Sequence, residues 1–202
     1  MTSFPRIFST DSAKAIKASG YGYLNAIHYM APAETGGVGN LCPNATHECI
    51  SLCLGKYSGQ AAMVADIEHG TNSVRESRKR KAQLFMTSRA AYMNEMARQI
   101  ARVIAKARAD RLTPCIRLNG STDIAWERIR FALEPRTIEA LSAIGIGPNV
   151  RATPTLLELF HFVQFVDYTK NAKRLASKPS NLDLTLSYSA RNSADCVAAL
   201  LA

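Results

Sequence analysis

Cys115-Ile116-Arg117-Leu118-Asn119-Gly120-Ser121-Thr122-Asp123 decides the fold: four residues of strand character run straight into five small or polar ones. The same grammar recurs twice downstream. Residues 162–168 (FVQFVDY) lead into Thr169-Lys170 and a basic helix start, and residues 182–188 (LDLTLSY) lead into Ser189-Ala190-Arg191-Asn192 and a terminal helix ending in VAALLA. Between the first two, a Pro-containing stretch reaches a short helix around 154–160. Strand, loop and helix repeated in this way imply parallel strands, because a parallel neighbour is reached only through a crossover. The expected fold is α/β, a partial (β/α) barrel or an open parallel sheet with outer helices, as one domain over residues 1–202.

Upstream of these units (114–202), residues 72–111 read as basic helices. Leu84, Phe85, Met93, Met96, Ile100, Val103 and Ile104 recur at helical spacing among Arg and Lys. A break near 86–88 divides the run, with Thr87 or Ser88 as a cap for the second helix. Residues 21–30 (YGYLNAIHYM) read as a first strand. The segment after it, 32–55, is rich in Gly, Pro and Asn and holds three cysteines; a long coil inside a compact domain is usually functional.

Ligands of parallel α/β sheets bind where the strands end and the following loops gather. Polar residues stand at each of these ends: Asn119, Ser121 and Asp123, then Asp167, Tyr168 and Lys170, then Ser187, Ser189 and Arg191. The residues expected to hold a small ligand are Asn119, Ser121, Asp123, Tyr168, Lys170 and Arg191. The bland counterparts are that Asp123 and Asp167 cap turns and Lys170 is solvated. Trp126 reads as core, and His28, His69 and His161 as structural.

Cys42, Cys49 and Cys53 form C-x6-C-x3-C within LCPNATHECISLCLG. Three soft ligands on one loop suit an iron–sulfur cluster, in which one iron stays open, or zinc, with His47 completing a Cys3His set. The plainer reading is reduced thiols lining a small core. Cys115 and Cys196 stand apart and read as packing.

The net charge of +9 is concentrated: residues 75–111 carry eleven Lys or Arg against Glu76, Glu95 and Asp110. Arg75, Arg78, Lys79, Arg80 and Lys81 are the candidate nucleic-acid contacts, with a solvated helix surface as the alternative. No apolar run reaches the roughly 18–20 residues of a membrane span, and MTSFPRIFST lacks a signal-peptide pattern. The expected location is the cytoplasm, with no membrane partner. Walker, Rossmann and hydrolase-elbow signatures are missing.

Taken in order, YMAPA, LCPNATHECISLCLG, RESRKRKAQLF, IRLNGSTDIAWE, QFVDYTKNAKR and LTLSYSARN resemble the gene-product-88 family of bacteriophages, over about residues 21–192. In order of elements the pattern is also similar to radical-SAM proteins. That likeness implies S-adenosylmethionine as a cofactor, but the cysteine spacing departs from C-x3-C-x2-C and no glycine-rich SAM-binding strand is seen. Against the family pattern, residues 130–155 read as an insertion, and the stop at Ala202 implies a partial barrel. Three functions are thus expected: an iron–sulfur metalloprotein with redox or radical chemistry on an unknown small ligand, a non-enzymatic nucleic-acid binder with structural zinc, or a remnant with neither activity.

Overall fold

A computed structural model describes residues 4–147 and 151–201. Five strands form one sheet in the order β1-β2-β3-β4-β5, so position in the sheet follows position in the chain. They are β1 (Phe8–Ser9), β2 (Tyr23–His28), β3 (Thr113–Arg117), β4 (Gln164–Thr169) and β5 (Leu182–Leu186). The pairs β2/β3, β3/β4 and β4/β5 are parallel; β1 alone runs antiparallel, along β2. The chain is thus an α/β protein with an open, mostly parallel sheet.

The strand expected at 21–30 is the second of the sheet and shorter than read, and β1 escapes sequence reading because two residues carry no periodicity. The residues read as an insertion include 148–150, which lie outside the described residues. Helices surround the sheet: α1 (Ala13–Ser19), α2 (His47–Ser51), α3 (Leu54–Tyr57), α4 (Ser73–Thr87), α5 (Arg89–Ala109), α6 (Pro135–Ser142), α7 (Leu156–Leu159) and α8 (Ser193–Leu201). None is long and apolar enough to cross a membrane.

The break between α4 and α5 falls at Ser88, whose φ of −137° and ψ of 48° leave the helical region, though its side chain makes no capping bond. Asn72 does cap α4, accepting from the Arg75 N–H at 2.9 Å. In α5, Met93, Met96, Ile100 and Ile104 repeat every three or four residues and are all buried. That stripe packs with Ala26, Ile116, Phe165, Leu182 and Leu184 of the sheet, and with Leu118 just past β3, in one core. Each such side chain contributes roughly 1.5–3 kcal/mol by leaving water.

The opposite face of the sheet is more open. Burial alternates along β4 and β5, with Gln164, Tyr168 and Asp183 exposed between buried neighbours and Thr185 exposed beside buried Leu184. This is why LDLTLSY alternates, and why FVQFVDY is broken by Gln164, rather than running continuously apolar. Arg117 belongs to the same open face, between Ile116 and Leu118 of the core.

Candidate functional site

Four chain segments leave the same end of the parallel strands. The cysteine-bearing segment follows β2, residues 118–125 follow β3, Lys170 follows β4, and Ser187–Ser189 follow β5. They enclose a cavity of about 400 Å³ whose walls include Cys42, Cys49 and Cys53 as well as Asn119, Ser121, Asp123, Tyr168 and Lys170. Arg191 is not in that wall; it is exposed and ion-paired with Glu48 of α2 at 3.5 Å.

The loop after β3 is braced from within. Asn119 is buried, and its side-chain oxygen accepts from Thr122 Oγ1 (2.8 Å), the Ile124 N–H (3.0 Å) and Trp126 Nε1 (3.0 Å). Its side-chain nitrogen donates to the Ile124 carbonyl at 2.9 Å and to Asp167 Oδ2 at 2.7 Å. Asn119 therefore shapes the wall with an amide spent on the protein itself. Trp126 is core, as expected.

Ser121 donates to the Met30 carbonyl at 2.6 Å, tying the loop to the segment leaving β2. Gly120 makes that approach feasible: a Cβ there would stand 2.6 Å from both the His28 carbonyl oxygen and Tyr29 Cδ1. Asp123 does not cap a helix. One of its oxygens accepts from Arg174 at 2.9 Å, the other from the Lys170 N–H at 3.0 Å, while its own N–H donates to the Leu41 carbonyl. Buried Arg174 also grips Glu127 through two bonds of 2.8 and 2.9 Å. The Lys170 ammonium is engaged: half-buried, it donates to the Ser187 and Tyr188 carbonyls at 3.0 and 2.8 Å, linking the β4 and β5 ends.

The thiols sit in distinct surroundings. Cys42 Sγ accepts from the Ala33 N–H at 3.3 Å, and Ala33 holds a left-handed φ of 46°. Burial pushes the Cys42 thiol up to about 11, against the pull of that N–H. Burial also raises Cys49, opposed by the positive charge of Lys170. Cys42 and Cys49 each feel the charge of Cys53, so the three sulfurs form one electrostatic group. Gly55 lets their loop close on the β3 loop: a Cβ there would meet Ser121 Cβ at 2.9 Å and Cys53 Sγ at 3.4 Å. Among the described residues, no three His, Cys, Asp or Glu side chains are gathered to hold a single metal ion. His47 is exposed and faces Ser51, 3.4 Å away.

Of two further groups beside the cavity, Arg117 was not singled out from sequence, while Asp167 was read only as a strand-end polar residue or a turn cap. Asp167 is buried under the β3 loop, and burial pushes it up to about 7 against the Tyr168 N–H, Arg117, Asn119 and Arg174. Arg117 lines the cavity with its guanidinium carbon 4.7 Å from the Tyr168 ring centre. A charged residue between two apolar ones on a strand was the signal for Arg117. For Asp167 the signal was a carboxylate at an inward-facing strand position.

The basic stretch of α4 is largely turned inward. Arg75 donates to the carbonyls of Lys56, Ala61, Ile67 and Gly70, and Arg78 donates to Gly55 and lies over the Tyr29 ring at 4.8 Å. Lys81 is buried, which lowers it to about 8. Lys79 pairs with Glu76 at 3.2 Å, and Arg80 is exposed. The five do not form a continuous solvent-facing row.

The family model described as gene product 88 matches residues 6–201. The chain belongs to the gene product 88 family. For this phage protein family the match takes in β1 and α8, beyond the stretch that carries the resemblance in sequence. No curated protein and no solved structure matches this family member.

Proposed function

We propose that the cavity at the strand ends is a three-thiolate iron–sulfur site, serving redox chemistry on a small ligand held beside it. One observation carries the reading: Cys42, Cys49 and Cys53 come from one segment between β2 and α4, with Cys49 on α2, and line a single cavity, yet are not gathered around one metal centre. A lone ion needs its ligands around one centre. A four-iron cluster takes one thiolate per iron, so its ligands ring a volume instead. The residues present fit a cluster in that respect, and better than a Cys3His zinc site, since His47 faces away to Ser51.

When bound, such a cluster supplies one-electron chemistry and, with three thiolates, an iron open to a further ligand. The chain supplies the rest. Burial raises the Cys49 thiol, and the positive charge of Lys170 works against that rise. The bonds from Ser121 to Met30, and from Asp123 to Leu41, fix the cysteine segment against the β3 loop. Ile50, Leu52 and Leu54 place apolar surface along the same cavity. Nucleic-acid binding through α4 draws less support, because Arg75, Arg78 and Lys81 are engaged or buried within the fold.

The test is anaerobic reconstitution with ferrous iron and sulfide, followed by a visible spectrum. Replacing Cys42, Cys49 or Cys53 by Ala should each abolish the cluster absorbance, whereas Cys115→Ala and Cys196→Ala should keep it. Equal retention in all five variants sinks the assignment.

A further inference from the structure

We infer that Arg117 is the anion-binding fork of this cavity, and that its ligand is a small organic molecule with a carboxylate or phosphate group on an apolar body. Arg117 ends β3 on the open face of the sheet. Its Nε is committed, donating to the Asn119 carbonyl at 3.2 Å. Its two terminal amino groups make no hydrogen bond to any described residue, although the side chain is only 20% exposed. The Tyr168 ring covers the guanidinium at 4.7 Å and fixes its plane. A planar guanidinium held this way presents two parallel N–H donors, the complement of a carboxylate or phosphate edge.

The charges nearby leave that fork unsatisfied. Asp123 is neutralised by Arg174 at 2.9 Å, and Glu48 pairs with Arg191, which stands outside the cavity. The carboxylate nearest Arg117 is Asp167, 4.0 Å from Nε and already accepting from Asn119 and the Tyr168 N–H. Lys170 spends two of its three N–H bonds on carbonyls. Lys56, the third cation of the wall, is paired with Glu68, so Arg117 is the best placed of the three to meet an anion.

A second observation sets the rest of the ligand. Leu52, Leu54 and Tyr188 line the cavity while 76%, 72% and 71% exposed. Large apolar side chains left in water beside an anion fork fit an apolar body lying across them, which inorganic phosphate lacks. About 400 Å³ is room for a small molecule.

This inference rests on reading the cavity as the working site, but not on the cluster. The test is calorimetric titration of the full chain with benzoate, phenyl phosphate and neutral benzamide. At least one of the two anions should bind, and benzamide should bind at least about tenfold more weakly. The stronger anion tells carboxylate from phosphate. Arg117→Gln should weaken the anion at least about tenfold, and Arg117→Lys, which keeps the charge without the fork, should recover only part. No anion binding, benzamide binding equally well, or wild-type affinity in either Arg117 variant overturns the inference. Cys49→Ala titrated in parallel separates the two readings: no difference in iron between wild type and variant, with anion affinity intact in both, sinks the cluster and leaves the fork.

Discussion

The side-chain nitrogen of Asn119 donates to Asp167 Oδ2 at 2.7 Å, inside the molecule, between the end of β3 and the body of β4. The Asn119 N–H reaches the same oxygen at 3.1 Å. The loop that walls the cavity is thereby bolted to the next strand. Asn119→Ala strips an acceptor from Thr122, Ile124 and Trp126 together, so it should destabilise the protein by about 3 kcal/mol, measured by urea unfolding.

Asp167 gives that bolt a pH dependence. Its folded value of about 7 lies above the ordinary 3.8 because burial favours the neutral form. The contribution to stability is therefore full below about 3.8 and is lost as pH rises through about 7. Asp167→Asn should remove this fall. Unfolding free energies at several pH values between 4 and 8 measure it directly.

His28 slopes the other way. It is fully buried, with Nδ1 3.0 Å from the Leu118 carbonyl and Nε2 2.8 Å from the Tyr92 hydroxyl. Nδ1 therefore carries the proton, and Tyr92 donates to Nε2. Burial first, and then the charge of Lys81, lower it from 6.5 to about 3. Its contribution is present above about 6.5 and is lost as pH falls toward 3. Between pH 4 and 6.5 the two groups oppose each other. His28→Gln should steepen the loss of stability with rising pH, and Asp167→Asn should expose the loss with falling pH.

Arg75 acts as a clamp for the segment from Lys56 to Gly70. Arg75→Ala leaves four carbonyls without their donor and should cost about 3 kcal/mol, and Arg75→Lys should restore little, since an ammonium cannot span them. Lys79→Ala, which removes a surface pair, should stay within about 0.5 kcal/mol. Thermal melts of the three variants decide between a structural and a surface role for the basic stretch.

Gly55→Ala tests the closure of the cysteine loop. The added methyl meets Ser121 Cβ at 2.9 Å and Pro32 Cγ at 3.1 Å, so the loop must shift. Iron retention after reconstitution should fall while the far-ultraviolet dichroism of the helices stays unchanged.

Much of this architecture was legible in the residues. The repeated order of strand, polar loop and helix marked FVQFVDY and LDLTLSY as strands, and the Met93, Met96 and Ile100 stripe marked α5, because one-sided burial leaves a period. The gathering of loops followed from parallel topology alone. What was hidden is the destination of polar atoms. Asn119 and Lys170 look like ligand groups in sequence, yet their hydrogen bonds go to Asp167 and to the Ser187 and Tyr188 carbonyls. Arg174 falls in the basic helix start after β4 and is buried between Asp123 and Glu127. Long-range pairing of this kind has no local period, so no window of sequence displays it.

The most direct measurement is metal and sulfide analysis of the protein purified without oxygen, with its visible spectrum. The account predicts brown protein carrying iron and acid-labile sulfide in equal amounts, both lost in Cys49→Ala. Colourless, folded protein holding zinc or no metal contradicts it.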